Sequence, residues 1–164
     1  MQELLPMKRQ MALICSCLGL FLTLISGCSN PDKEAAWEII KMPTEQRGPA
    51  LSRLAPEKQV DVFLYAYTQI EPPRILAGEV ASNWKSTLPV VKNRLVSETN
   101  PPMLAGLMMI LSAVSANYCA LSEREDVLTA ASQAVNKLGA PYRDLAEKQL
   151  KEIAHPEKQL PPCR

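Results

Sequence analysis

Prolines divide this sequence into segments whose hydrophobic residues recur at helical spacing. The 164 residues include 14 prolines, and proline is tolerated in the first turn of a helix but breaks a helix interior. Between prolines, Val60, Phe63, Leu64 and Tyr67 follow the i, i+3, i+4, i+7 spacing of one helix face. A double proline at residues 101–102 marks the start of another such segment. Proline placement and hydrophobic spacing together predict an all-α fold.

The most apolar segment runs over residues 103–114, and it is hydrophobic around its whole circumference. A helix of this kind is buried on all sides in a globular core, and it is too short to span a membrane. Its methionines, Met103, Met108 and Met109, could form a metal site or an adaptable binding surface, but methionine in an all-apolar helix more often fills gaps in a core. We expect this helix at the centre of the domain.

Four further helices are predicted before residue 100, besides the one that carries Val60. The first is expected to place Trp37 on its apolar side. A short helix is predicted over residues 44–54, although glycine and proline interrupt its pattern. Another is predicted over residues 73–85, and a new one begins at about Ser86.

The second half of the chain carries clear helix-start signals. Ser122 and Glu125 have the spacing of a capping box, in which each residue bonds the first turn of the helix. Gly139 is the residue type that commonly ends such a helix. A last helix is expected after Pro141, with Leu145 on its apolar side.

Two double prolines are each followed by the same short motif, Leu-Ala-Gly. Residues 71–78 read EPPRILAG and residues 100–106 read NPPMLAG, with the glycines 28 positions apart. A degenerate third copy begins at Pro141. These repeated motifs are similar to the helix-pair repeats of HEAT-type proteins, in which each helix pair packs only against the neighbouring pairs. The resemblance covers residues 56–154 and implies a helical-hairpin solenoid, but an irregular helical bundle with prolines at its helix starts explains the same pattern.

The N-terminus has the three zones of a secretion signal. Lys8 and Arg9 form a positive region, residues 11–24 are apolar and uncharged, and small residues follow. Residues 25–28 read Ile-Ser-Gly-Cys, which resembles the lipobox of bacterial lipoproteins. That resemblance implies cleavage before Cys28, attachment of diacylglycerol to its sulfur, and acylation of the new N-terminus by a fatty acid such as palmitate. An ordinary signal peptide with a chance cysteine is the alternative.

A lipid on Cys28 would anchor the protein to a membrane without a spanning helix. Several acyl chains, at ~0.8 kcal/mol per buried methylene, make anchoring effectively permanent. Within the lipoprotein family an aspartate after the cysteine favours the inner membrane, so Ser29 favours the outer membrane, facing the periplasm. The expected organisation is a signal peptide over residues 1–27, a tether over 28–33, an all-helical domain over 34–156 and an extended C-terminal tail over 157–164.

Cys119 and Cys163 are the cysteines that remain besides Cys28 once the signal is removed. In an oxidising periplasm such a pair favours a disulfide, which would fix the proline-rich tail to the end of the apolar helix. Closing so long a loop stabilises a fold by ~4 kcal/mol on the chain-entropy model. Two unpaired thiols are the alternative.

The charge balance and the missing motifs exclude several functions. From Cys28 onward the chain carries 16 basic and 16 acidic side chains, whereas a nucleic-acid-binding protein needs a basic stripe. The same balance argues against a polybasic membrane patch. No cysteine or histidine has a partner at metal-ligand spacing, and no nucleotide-binding or hydrolase motif is present. We therefore predict no nucleic-acid partner, no metal, no cofactor and no catalytic residues.

Membrane location without a catalytic motif favours protein interaction as the function. We expect an accessory, assembly or inhibitor subunit of an envelope system, because stacked helix pairs expose a groove that suits a protein partner. The contacts are predicted on the polar faces of the helices over residues 73–85 and 102–117. Arg74, Glu79 and Asn83 are the candidate partner-binding residues.

An envelope hydrolase acting on peptidoglycan is the alternative function. It would use a carboxylate such as Glu125 or the imidazole of His155, the single histidine of the chain. Acidic residues in a first helical turn are also explained by the helix dipole, and a histidine at a helix end is commonly a surface residue.

Overall fold

Helices account for most of the chain that the computed structural model describes, residues 31–70, 76–156 and 160–163. Within these residues no strand is present beyond one isolated β-bridge. The all-α prediction is therefore confirmed. In chain order the helices are α1 (Pro31–Lys41), α2 (Thr44–Ser52), α3 (Pro56–Thr68), α4 (Ala77–Ser82), α5 (Trp84–Ser97), α6 (Pro101–Asn117), α7 (Glu125–Lys137) and α8 (Tyr142–Ala154).

From α2 onward the helices pack in two rows, because each helix contacts the helix two places along the chain. The even row consists of α2, α4, α6 and α8, and the odd row of α3, α5 and α7. Each helix from α2 to α7 also contacts the next helix in sequence, which belongs to the other row. This is the contact pattern expected of successive helix pairs that stack on one another.

The apolar helix α6 lies at the centre of the two rows, since it contacts α3, α4, α5, α7 and α8. Asn100 caps it, with its side-chain oxygen 3.5 Å from the amide nitrogen of Met103, and the double proline occupies the first turn, where amides have no helical partner. The predicted central position agrees with this packing, although one strip of the helix reaches the surface. Its fully buried large side chains are Leu104, Leu107, Met108, Ile110 and Leu111.

Helix α6 approaches α3 closely at Gly106. A Cβ atom at this position would lie 3.1 Å from both Leu64 Cδ2 and Tyr67 Cδ1, and 3.3 Å from Phe63 Cε1. The rings of Phe63 and Tyr67 stack with their centroids 5.9 Å apart. The missing side chain at residue 106 therefore allows the α6 backbone to pack directly against these α3 side chains.

Ion pairs join successive helices of the odd row, and α1 is joined to α3 in the same way. The three pairs are Asp32–Lys58 between α1 and α3, Asp61–Arg94 between α3 and α5, and Lys92–Asp126 between α5 and α7. All six side chains are partly exposed, so each pair contributes little free energy. The pairs therefore connect neighbouring helices at the surface, while the buried side chains between the helices provide most of the packing free energy.

The C-terminal tail is held beside the loop that follows α6. Cys119 and Cys163 form a disulfide, and both are buried. The Cys163 amide donates to the Ala120 carbonyl at 3.1 Å, and the Ala120 amide donates to the Pro161 carbonyl at 2.8 Å. These bonds give a single parallel bridge between Ala120 and Pro162. The end of the tail is therefore part of the core.

The helix predicted over residues 73–85 is shorter in the structure, and α5 begins at Trp84 instead of Ser86. The carbonyl of Asn83 accepts hydrogen bonds from the amides of Ser86 and Thr87, at 3.0 and 3.1 Å. The hydroxyls of the same two residues also donate to this carbonyl. At the end of α4 the Ser82 hydroxyl and the Asn83 side-chain amide donate to the Glu79 carbonyl, while the Asn83 backbone amide donates to the Val80 carbonyl. Short polar side chains thus take the acceptor that a continuous helix would use, which explains the break between α4 and α5.

The capping box predicted at Ser122 is wrong, because α7 begins three residues later, at Glu125. Arg124 occupies the N-cap position and makes no side-chain cap bond. Its guanidinium instead donates to the carboxylate of Asp126, at 3.0 and 3.1 Å. The acidic residue in the first turn is thus bonded to the cap residue, and Ser122 lies in the preceding turn.

Two large side chains predicted on apolar helix faces are exposed. Trp37 of α1 is 39% exposed and Leu145 of α8 is 48% exposed. The residues next to them in sequence, Ala36 and Ala146, are the buried ones. Both large side chains therefore lie beside the buried face of their helix, and the prediction is wrong for these two positions.

Candidate functional site

Two of the three predicted binding residues lie one helical turn apart at the end of α4. Glu79 and Asn83 are half-buried, and the Asn83 side-chain amide lies 3.5 Å from the Glu79 carbonyl oxygen. Because the Asn83 carbonyl also accepts the first bonds of α5, this residue holds the helix junction. Arg74, the third predicted residue, lies outside the described residues.

A narrow strip of α6 reaches the surface in the even row. Met109, Ser112, Ala113 and Ala116 follow i, i+3, i+4, i+7 spacing, so they share one helix face. The first three are half-buried and Ala116 is exposed. None of the 17 residues of α6 is charged. These four residues, the α6 strip, can be covered by another molecule without desolvating a charge.

The two helices that flank α6 in the even row differ in character. On α4, Gly78 is exposed, and a Cβ atom added to it would have no neighbour within 4 Å. On α8, the exposed Leu145 is accompanied by charged residues that include Glu147, Lys148 and Lys151. The even row therefore has an uncharged helix, α6, beside a charged one, α8. Protein interfaces commonly have the same composition, with an apolar centre and a polar rim.

Several charges of the odd row, those of Lys58, Asp61, Lys92, Arg94 and Asp126, are paired within the protein. Asp126 accepts hydrogen bonds from Arg124 and from Lys92. The hydrogen bond from Arg124, which has the larger effect, and the one from Lys92 hold the pKa of the Asp126 carboxyl well below its usual range. The bond to Asp126 also raises the pKa of Arg124. A charged partner would have to replace these bonds, so the odd row is the less suitable binding surface.

The paired cysteines have a structural role in this arrangement. Cys119 and Cys163 are buried and bonded to each other, so neither sulfur is available as a thiolate nucleophile or a metal ligand. Among the described residues, no group of three or more histidine, cysteine, aspartate or glutamate side chains could hold a metal ion.

The residues of the alternative hydrolase function are both open to solvent. Glu125 is exposed in the first turn of α7, and His155 is exposed immediately after α8. Catalytic acids and bases are tuned by burial and by neighbouring groups. Neither side chain has surroundings of that kind.

The sequence analysis placed partner contacts on the helix over residues 102–117, but it did not identify the α6 strip as the part of that helix that reaches the surface. A helix that is apolar all round has no periodic pattern to mark its exposed side. Side-chain size does not mark it either, because the buried positions of α6 include the small residues Ala105, Gly106 and Ser115 besides leucine, isoleucine, valine and methionine.

The predicted lipid-attachment residue, Cys28, and the predicted signal peptide lie outside the described residues. Helix α1 begins at Pro31, inside the segment predicted to be a tether. In the described part of the chain, no helix has the length and hydropathy needed to cross a membrane. Comparison of the chain with models of protein families, with curated proteins and with solved structures finds no match.

Proposed function

We propose that this protein is a lipid-anchored lipoprotein of the bacterial envelope that binds another envelope protein through the α6 strip. Its role would be that of an accessory, assembly or inhibitor subunit. The observation that carries the proposal is an uncharged helix surface in the middle of the even row. Apolar surface left uncovered on a folded domain commonly marks a contact with another macromolecule.

The strip suits a helix or an extended segment of a partner protein. Met109 is unbranched and adapts its shape to different neighbours. Ala113 and Ala116 are small, so a partner backbone can approach α6 closely, while the Ser112 hydroxyl can donate or accept one hydrogen bond. Glu79 on the adjacent α4 can add a charged contact outside the strip.

The anchoring part of the proposal rests on the sequence. The lipobox resemblance at residues 25–28 supports lipid attachment at Cys28, and Ser29 supports the outer membrane over the inner one. The domain would then face the periplasm, where other envelope proteins are within reach of a short anchor. Membrane attachment raises the local concentration of the domain near such partners.

Site-specific photocrosslinking in cells tests the binding surface. A photoreactive phenylalanine analogue replaces Ser112 in the strip, or replaces Gln133, which is exposed on α7 in the odd row, as the matched control. We expect a discrete crosslinked protein from position 112, none from position 133, and loss of the product when Ala116→Arg places a cation within the strip. Equal crosslinking from both positions, or none from position 112, contradicts the proposal.

Lipid labelling tests the anchor separately. Cells grown with a radioactive or clickable fatty acid should label the wild-type protein and leave Cys28→Ser unlabelled, since the cysteine sulfur is the proposed attachment atom. Undiminished labelling of Cys28→Ser contradicts the assignment of the lipid to this residue.

A further inference from the structure

One face of α1 carries a tryptophan between two lysines. Lys33, Trp37 and Lys41 are spaced four residues apart, so they form one row along the helix. All three side chains are exposed. Ala36 and Ile39, on the other side of α1, are buried. The row is therefore a surface that the fold leaves open.

We propose that this row, the α1 row, lies on an anionic lipid bilayer and sets the orientation of the domain on the membrane. The inference deepens the proposed function and rests on the lipid anchor proposed at Cys28. The occupant is a lipid surface because α1 begins only three residues after that cysteine.

The short connection limits how far α1 can move from the membrane. Three residues span at most about 11 Å when fully extended, which is roughly the diameter of one helix. Trp37 lies six residues into α1, about 9 Å along the helix axis at 1.5 Å per residue. The start of α1, with Lys33, is therefore kept near the lipid headgroups for as long as Cys28 is anchored, and Trp37 and Lys41 reach the headgroups when the helix lies along the membrane surface.

The chemistry of the row matches the edge of a bilayer. Tryptophan is enriched at membrane interfaces, where its apolar ring and its N–H group both find suitable surroundings. Lysine places its methylene stem along apolar surface while its ammonium reaches outward, in this case to lipid phosphates. Two lysines alone do not form a polybasic patch, so the lipid provides attachment and the α1 row provides orientation.

Two acidic side chains of α1 border the α1 row. Glu34 and Glu38, one residue on from Lys33 and Trp37, are exposed and line the same shallow surface as the row. An anionic surface repels these carboxylates, so a rotation of α1 that turns Lys33 and Trp37 toward the lipid and the two carboxylates away from it is favoured. Membrane contact at this face thus has one preferred orientation.

That orientation is passed on to the rest of the domain because α1 is bonded to its neighbours. Lys58 of α3 forms an ion pair with Asp32. The guanidinium of Arg47 in α2 donates to the carbonyls of Ile40 and Met42, at 3.1 Å each. A fixed contact between α1 and the bilayer therefore determines which way α2 and α3 face.

Fluorescence quenching in reconstituted vesicles tests the proposal. The chain has two tryptophans, so Trp84→Phe leaves Trp37 as the single reporter, and Trp37→Phe leaves the half-buried Trp84 as the matched control. Each lipidated protein is reconstituted into vesicles that contain phosphatidylglycerol and lipids brominated in their acyl chains. We expect strong quenching and a blue-shifted emission for Trp37, and neither change for Trp84.

Charge reversal tests the contribution of the lysines. In the Trp84→Phe background, Lys33→Glu with Lys41→Glu should abolish the quenching of Trp37. Lys148→Glu with Lys151→Glu on α8, which makes the same change in net charge, should leave it intact. Equal quenching in both double variants would show that the lysines have no role and would overturn this assignment.

Mass spectrometry of the same samples separates the two proposals. If the protein carries lipid on Cys28 and Trp37 remains unquenched, the α1 row does not lie on the membrane, and the anchor proposal survives. If Trp37 is unquenched in vesicles but protected from acrylamide in native envelopes, a protein covers the row and the lipid assignment is overturned. If Cys28 carries no lipid, the anchor proposal is wrong, and the α1-row proposal, which rests on it, is overturned as well.

Discussion

The ammonium of Lys137, at the end of α7, lies 2.6 Å from the carbonyl oxygen of Val96, at the end of α5. The same ammonium donates to the carbonyls of Leu95 and Glu98, at 3.2 and 3.1 Å. The last carbonyls of a helix have no helical donor, and the helix dipole makes this end negative. One lysine thus completes the C-terminus of a neighbouring helix.

Replacing Lys137 by methionine should remove this cap while keeping most of the side-chain stem. We expect Lys137→Met to lower the free energy of unfolding by about 1–2 kcal/mol, because three carbonyls lose a charged donor but remain near water. Urea denaturation followed by circular dichroism measures the change. Lys151→Met on α8 is the control, with an expected change near zero, and an equal loss in both variants would contradict the capping role.

Gly106 and Gly78 offer a matched pair of alanine substitutions. Alanine favours a helix over glycine by roughly 1 kcal/mol, so Gly78→Ala, which meets no neighbour within 4 Å, should be neutral or stabilising. Gly106→Ala places a methyl group 3.1 Å from Leu64 and Tyr67, and overpacking typically costs about 1–3 kcal/mol. Thermal unfolding should therefore rank Gly106→Ala below wild type and Gly78→Ala at or above it. The opposite ranking would contradict this prediction and would show that the α3 side chains move aside for the added methyl group without loss of stability.

The disulfide between Cys119 and Cys163 should contribute to stability through the loop it closes. With 44 residues separating the cysteines, the chain-entropy model gives about 4 kcal/mol. We expect Cys119→Ala with Cys163→Ala to unfold at a lower urea concentration and to exchange the Ala120 amide faster. Addition of a reductant should destabilise the wild type and leave the double variant unchanged, and a wild type indifferent to reductant would refute this contribution.

Asp126 should make the stability of the domain depend on acidity. The folded protein holds its pKa below the unfolded value, through Arg124 and Lys92, so its contribution is present above the unfolded pKa of roughly 3.9 and is lost as the pH falls toward the folded pKa. Because the carboxylate is largely exposed, the effect should stay under about 1 kcal/mol.

Asp126→Asn is accordingly expected to be less stable than wild type at pH 7 and to converge with it in acid, as the pH falls below the unfolded pKa toward the lower folded pKa. Urea denaturation across this pH range measures the difference. Asp144→Asn, at an exposed position in the first turn of α8, is the control. A difference for Asp126→Asn that grows in acid would have the wrong sign for this account.

The helices were largely predictable because proline and hydrophobic spacing are local signals. Most helix ends agree with the sequence analysis to within a few residues, including the one before Pro56. Periodicity shows which residues share a face, but it does not show how wide the buried part of that face is. This explains why Trp37 and Leu145, which border the buried faces of α1 and α8, were assigned to them.

Features that depend on distant residues could not be predicted. The partners in the pairs Asp61–Arg94 and Lys92–Asp126 lie on different helices of the odd row, and only the packing shows that they meet. The break at Asn83 depends on competition between side-chain and helical hydrogen bonds. The α6 strip required knowledge of which neighbours leave one side of α6 uncovered.

The two-row packing has a consequence for the time the chain takes to fold. Apart from the contact of α3 with α6, each helix from α2 onward touches only helices one or two places away, so the domain has a low contact order and should fold in milliseconds or less. A chain synthesised from its N-terminus can then complete each helix pair as it emerges, and the disulfide at Cys163 becomes possible only when the last residues arrive.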